Sequence, residues 1–158
     1  MSISATLQDC LRRKGSQYDI VHHAHTHSTS ETAEVAHVPG DRLAKTVLLS
    51  DERGYVAAVL PSTFRLEMSE LWEKTGRHLE LVPEAALPDV FTDCEIGAVP
   101  PVGMAYGMKT YLDESLTMQP DVYFEAGDHE DLIHMRTDQF LDLMDKAERV
   151  SFAHRRGA

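Results

Sequence analysis

Lys45 stands among Leu43, Ala44, Val47, Leu48 and Leu49, at the head of an apolar stretch. In a strand, a period of two sets Lys45, Val47 and Leu49 on one face and Thr46 and Leu48 on the other. A lysine on an apolar strand face either snorkels at an edge or enters a polar cleft. In a cleft it is a cation for an anionic or carbonyl group. A second candidate is Gly97-Ala-Val-Pro-Pro-Val-Gly103. Its glycines permit positive φ or close backbone approach, and its prolines stiffen it. Rigid backbone N–H groups suit a carbonyl, a carboxylate or a developing oxyanion. The same loop also reads as a turn joining two strands. It is neither a dinucleotide fingerprint nor a P-loop, because the spacing differs and no GK[ST] follows.

Gly127-Asp128-His129-Glu130-Asp131 is the third candidate. A histidine between acids can be a general base, an orienting donor or a ligand, and a charged turn is the plainer reading. Four histidines in six residues, His22, His23, His25 and His27, invite a metal. Zinc needs three or four converging ligands, whereas strand or loop geometry splays alternate residues apart, and no HExxH occurs. No metal and no cofactor are expected. Ser28, Ser30 and Ser62 lack a GxSxG context. Cys10 reads as core and Cys94 as a small hydrophobe. Asp113-Glu114 reads as a turn, and the acidic run Glu125 to Asp131 as solvated rather than magnesium-binding.

These residues need a scaffold. Ile3, Leu7, Cys10 and Leu11 recur at helical spacing, which predicts a helix over 3–14 ended by Gly15. Tyr18 to His22 alternates like a strand. Ser28 with Glu31 has capping-box spacing, and Glu31 to His37 reads as one or two helical turns. Ala44 to Leu49 and Tyr55 to Leu60 form an expected hairpin around Ser50 to Gly54. Leu66 to Thr75 reads as a helix capped by Gly76. Leu79 to Val82 reads as a short strand, and Pro83 to Val90 as a brief helical piece broken at Pro88. Met108 to Leu112, Val122 to Glu125 and Leu132 to Arg136 read as strands, and Thr137 to Val150 as a closing helix. The order is mixed α/β without regular βαβ repetition. One domain over 1–150 is expected, with a polar tail over 151–158.

Composition narrows the function. The chain has 158 residues and a formal charge of −11, with a pI of about 5.1. Such acidity argues against tight nonspecific binding to nucleic acid, DNA included, although a local basic patch is compatible with it. Arg12, Arg13 and Lys14 form one basic cluster, and Arg149, Arg155 and Arg156 another. Two cysteines without CxxC spacing cannot build a disulfide framework. Met1 to Cys10 lacks the basic and apolar regions of a signal peptide. No run approaches the ~20 apolar residues of a membrane span. A cytoplasmic protein without a membrane partner is the expectation.

Taken in order, these motifs resemble the YbaK/ProX family of aminoacyl-tRNA editing deacylases, which is similar to the editing domain inserted in bacterial prolyl-tRNA synthetases. The likeness covers roughly residues 5–148. It is carried by His25 to Ala36, Ala44-Lys45-Thr46-Val47-Leu48, the Gly97 to Gly103 loop and Asp113-Glu114-Ser115-Leu116. It continues through Val122-Tyr123-Phe124-Glu125-Ala126-Gly127-Asp128-His129 and Ile133-His134-Met135 to the closing helix.

The resemblance implies an α/β fold: a compact domain with a mixed, mostly antiparallel, barrel-like sheet flanked by helices. It implies hydrolysis of the ester joining a mismatched small amino acid (Ala, Cys, Ser or Thr) to a tRNA 3′ end, with tRNA(Pro) as a carrier. The family's invariant lysine falls on Lys45, its GxxxP loop on Gly97 to Pro101, with Gly103 following, and its histidine on His129. Lys45 would hold the terminal phosphate or ribose, and backbone near Gly97 and Gly103 the scissile carbonyl. Ala98, Val99, Pro100, Pro101, Val102 and Met104 would line the pocket. The implied partners are a tRNA acceptor end and an aminoacyl-tRNA synthetase. A non-catalytic module holding a tRNA end or small metabolite is the alternative, and a general small-ester hydrolase a third reading.

Overall fold

The computed structural model describes residues 3–156, apart from the Ser30 side chain. Helix α1 runs Ala5–Lys14; the Leu7 N–H donates to Ser4 Oγ at 3.1 Å, and Gly15 ends it at φ +60°. Strand β1, Asp19–His22, leads to helix α2, Thr29–Ala36. There the Glu31 N–H donates to Ser28 Oγ at 3.1 Å, as the capping spacing predicts. Next come β2 (Leu43–Asp51), β3 (Gly54–Pro61), β4 (Phe64–Leu66), helix α3 (Met68–Thr75) and β5 (Glu80–Leu81). Helix α4 (Leu87–Val90), β6 (Lys109–Asp113), β7 (Asp121–Glu125), β8 (Asp131–Arg136), helix α5 (Thr137–Leu143), β9 (Glu148–Val150) and β10 (Ala153–Arg155) complete the order.

The main sheet follows β1-β8-β7-β2-β3-β6-β9, with β5 also on β2, while β10 pairs with β4. The pairs β2–β7, β3–β6 and β6–β9 are parallel and the others antiparallel. This is the mixed, mostly antiparallel α/β sheet expected. The hairpin β2–β3 pairs Ala44 with Pro61 and Asp51 with Gly54. One apolar cluster joins Leu7 and Leu11 of α1, Phe124 of β7 and Phe140 of α5. Another joins Leu49, Leu60, Leu71, Leu79 and Phe152. A third sets Leu48, Ala57, Phe91 and Met108 beneath Val99. Alternation along β2 is visible here, since Val47 and Leu49 pack in the second cluster and Leu48 in the third.

Several sequence readings are corrected. The closing helix ends at Leu143 rather than Val150. A tight turn from Met144 O to Ala147 N frees residues 148–150 to pair with the edge of β6, where Tyr111 meets Glu148. That edge's backbone groups need partners, which outweighs helical continuation. The expected polar tail is built into the fold as far as residue 156. Phe152 is wholly buried, and Asp113 accepts from the N–H groups of Phe152 and Ala153 at 2.8 and 3.0 Å. Residues 157 and 158 lie outside the described residues. The expected helical piece before Val90 is divided next to Pro88, into a 3-10 turn over Glu84–Ala86 and α4, where Pro88 sits in the first turn and its missing N–H costs nothing. Asp128, His129 and Asp131, expected in a solvated run, are buried.

Candidate active site

Strand β2 is paired along one edge by β3 throughout. On its other edge, β7 pairs at Leu43 and Ala44, and β5 at Leu49 and Ser50. The interval between opens into a cleft of about 390 Å³. Lys45, Thr46, Val47 and Leu48 form its floor. His27, Ser28 and Thr29, where the chain enters α2, make one wall, and Leu81, Val82, Glu84 and Leu87 another. Gly97 and Val99 close it from the loop. The Val82 N–H donates to Leu48 O at 3.1 Å, so Leu48 and the other even residues of β2 turn their main chain to this edge. Thr46 is therefore the residue whose main chain runs along the open interval. Its Oγ1 is buried without a hydrogen-bond partner.

Lys45 is half-buried. Its Nζ donates to Phe64 O at 3.2 Å. Burial, and then the positive charge of Arg156, push its pKa below the ordinary lysine value. No carboxylate of the described residues lies at ion-pair distance from Lys45, in contrast with most other cations of the chain. Arg12 and Arg13 both bind Asp9, Lys14 binds Asp145 and Arg155 binds Asp41. The cations of the first basic cluster are thus all paired on the surface, two of them sharing Asp9, and in the second only Arg155 is paired among the described residues.

The loop divides in two. Gly97, at φ +83°, and Val99 face the cleft. Ala98 donates its N–H to Glu95 O at 3.1 Å, and Pro100 and Pro101 have none to offer. Within this stretch the N–H groups of Gly97 and Val99 remain to serve a substrate. Ala98, Pro100, Pro101, Val102, Gly103 and Met104 are not among the residues lining the cleft. Val102 is buried in the first apolar cluster, and Met104 packs against it. Gly103 is wholly enclosed; a Cβ there would lie 2.6 Å from both Ala57 Cβ and Thr110 Oγ1. Its glycine serves close packing between the loop and β3 and β6.

His129 does not line the cleft and stands behind the loop. Its Nε2 lies 2.7 Å from Ile96 O, and its Nδ1 3.2 Å from Glu125 Oε2. Burial lowers its pKa, but Glu125 and the Ile96 carbonyl raise it more, and the net shift is upward. The other histidines disperse. His22 contacts Asp131, His23 Nδ1 meets Ala24 O, His25 Nε2 lies 2.9 Å from Glu95 Oε1, and His27 borders the cleft. Among the described residues no three His, Cys, Asp or Glu side chains gather as metal ligands would.

Sequence reasoning missed Thr46, the His27 to Thr29 wall and the Leu81 to Leu87 wall. Period-two alternation set Thr46 opposite Lys45, yet both reach the cleft because it opens along the strand's edge. Ser28 was legible as a helix cap, but nothing local joins a cap to a site.

With this geometry in view, comparison with known proteins places the chain. The family model of the aminoacyl-tRNA editing domain matches residues 23–143. The chain belongs to that family of aminoacyl-tRNA hydrolases, in agreement with its YbaK/ProX-like motifs. No curated protein matches it significantly. Among solved structures, a proposed trans-editing enzyme for prolyl tRNA synthetase is 23% identical with a TM-score of 0.81, covering 97% of this chain and 99% of the other. The hypothetical protein APE2540 is 19% identical with a TM-score of 0.82, covering 94% and 99%. A proposed signal transduction protein from Marinobacter aquaeolei VT8 is 20% identical with a TM-score of 0.74; the match covers 96% of this chain and 31% of that one. These likenesses establish a shared fold.

Proposed function

We propose that the protein hydrolyses, in trans, the ester of tRNA mischarged with a small amino acid such as Ala, Cys, Ser or Thr, with tRNA(Pro) as a carrier. The reading rests on one juxtaposition: Lys45, with no carboxylate partner among the described residues, and Gly97 share one cleft. The cleft's volume, about 390 Å³, suits an aminoacyl group and part of the terminal nucleoside. Lys45 binds the terminal phosphate or ribose and fixes the ester over β2. The N–H groups of Gly97 and Val99 receive the carbonyl oxygen and stabilise the oxyanion as charge develops. Water attacks the carbonyl carbon. The tetrahedral intermediate expels the ribose oxygen, which takes up the proton the water gives, directly or through the neighbouring ribose hydroxyl. The products are the free amino acid and uncharged tRNA. No serine or cysteine enters covalently: Ser28, beside His27 on the cleft wall, takes the Glu31 N–H as a helix cap, and among the described residues no hydrogen bond joins it to a histidine base. The setting is cytoplasmic, where charged tRNA is made and used, and an aminoacyl-tRNA synthetase is a natural partner for its delivery.

The test is deacylation of alanyl-, cysteinyl-, seryl-, threonyl- and prolyl-tRNAs, on tRNA(Pro) and on their own tRNAs, by wild type and K45A. Wild type is expected to clear one or a few of them, and K45A to lose about 10²-fold or more while folded. Full activity in folded K45A overturns the reading. Equal turnover of free amino-acid esters would make the protein a general esterase instead.

A further inference from the structure

Glu125 closes β7 with 2% of its side chain exposed, and neither of its oxygens has a hydrogen bond of normal geometry. A buried carboxylate so placed is costly unless its charge is used. Its neighbour at 3.2 Å is His129 Nδ1. On the opposite side of that ring, Nε2 meets Ile96 O at 2.7 Å. A carbonyl oxygen only accepts, so Nε2 carries a proton. If Nδ1 were a bare lone pair, it would face a bare carboxylate. A proton on Nδ1 would offset the Glu125 charge at this ion-pair distance, and the carboxylate on one side of the ring with the Ile96 carbonyl on the other would favour a single ring orientation.

The Ile96–Gly97 peptide carries this outward. The chain has no cis peptide bond among the described residues, so C=O and N–H of one unit point in opposite directions. Ile96 O is turned back toward His129, and Gly97 lines the cleft. The Gly97 N–H is thereby presented away from His129, on the cleft side. The fit is close on both sides: His129 sits at φ +58°, and a Cβ on Gly97 would come within 3.3 Å of Nε2.

We propose that Glu125 is a positioning residue, which fixes the protonation and orientation of His129 so that His129 anchors the Ile96 carbonyl and aims the Gly97 N–H at the substrate carbonyl. The kinetic part rests on the hydrolase reading above. In the relay, Glu125 and Ile96 O touch the ring directly. Glu95 adds negative charge nearby, His25 stacks edge-on at 5.7 Å between ring centroids, and Asp128 is tied to the N–H groups of Glu130 and Asp131.

The experiment compares E125A and E125Q. A glutamine amide can donate to Nδ1 and leave Nε2–H in place, whereas alanine frees the ring to shift its proton to Nδ1. E125A is expected to lose kcat about tenfold or more, with KM little changed, and E125Q to keep most of kcat; outright removal of an oxyanion donor costs ~10²–10³. Nitrogen-15 spectra of the ring should show His129 protonated on both nitrogens in wild type, on Nε2 in E125Q and on a mixture in E125A. The backbone amide resonance of Gly97 should shift in E125A alone. A folded E125A with normal kcat, or E125A and E125Q impaired alike, overturns the proposal. So does an unchanged ring spectrum in E125A. The ring and amide readings need no substrate, so they decide the relay even if wild type deacylates no charged tRNA, an outcome that would sink only the hydrolase reading.

Discussion

Arg156 reaches the neighbourhood of Lys45 through a strand pairing: β10 sets Arg155 against Phe64, the Arg156 N–H donates to Thr63 O at 3.2 Å, and Phe64 O holds Lys45 Nζ at 3.2 Å. Two cations with no carboxylate partner among the described residues thus lie close together in an acidic protein, and one of them, Lys45, lines the cleft. Removing the Arg156 charge should weaken binding of a tRNA 3′ end without touching the chemistry. R156A is expected to raise KM several-fold at constant kcat and to reduce the salt slope of tRNA binding by about 0.7 to 1. Binding titrations at three salt concentrations check it, and an unchanged slope assigns the charge elsewhere.

Glu84 is the acidic side chain among those lining the cleft. An aminoacyl ester carries an ammonium group one carbon from its carbonyl, and an exposed carboxylate attracts it modestly. E84Q is expected to raise KM about two- to fivefold for aminoacyl-tRNA and to leave uncharged tRNA binding as it was. A parallel loss for both ligands would mean that Glu84 shapes the wall only.

Cys94 lies beside Asp93 and Tyr106, with its Sγ 3.4 Å from an Asp93 oxygen and from the Tyr106 hydroxyl. Burial, chiefly, pushes its pKa up to about 12. Burial also raises that of Cys10. The thiolate is the reactive form. Native protein at pH 8 should resist a thiol reagent on both residues, and both should react once denaturant unfolds it. Rapid labelling of Cys94 in the native state would contradict the enclosed environment described.

Asp51 accepts from Arg77 Nε and Nη2 at 2.7 and 2.6 Å, and this pairing lowers its pKa to about 2. An unfolded aspartate titrates near 3.9. A depressed carboxylate contributes stability that is complete above the unfolded value and disappears as pH falls through the folded one. Denaturant midpoints should therefore fall between about pH 4 and pH 2 in wild type. D51N should be less stable at neutral pH and show a flatter decline over that window. A decline as steep in D51N would assign acid sensitivity to other carboxylates.

Much of this architecture was legible because its causes are local. Ser28 caps α2 with a residue three positions on, Gly15 ends α1, and alternation along β2 sorts Val47 and Leu49 from Leu48. The rest depends on partners distant in sequence. Nothing near Phe152 announces that Asp113 will take its N–H, so the end of the chain read as a tail. Nothing near His129 announces its contact with Ile96 O, so a buried histidine read as part of a charged turn. In the loop, composition marked Gly97 and Gly103 alike; the fold gives one to the cleft and the other to close packing. Lys45 and the loop were each marked by their own residues and joined in one site by the family resemblance, whereas Thr46 and the Leu81 to Leu87 wall appear only when the strands are laid side by side.

The sheet's connectivity also sets an order of assembly. Strands β2 and β3 are neighbours along the chain and can zip early as a hairpin. Strand β7, which bounds the cleft at Ala44, pairs through Phe124 only after long segments have been gathered in. Such distant closures carry an entropic cost before any contact rewards them, and they slow folding. During synthesis the Lys45 floor can therefore exist well before its boundary does. Refolding should show a fast phase for the hairpin and a slower one in which binding competence arises. The cleft would be among the last parts of the molecule to be finished.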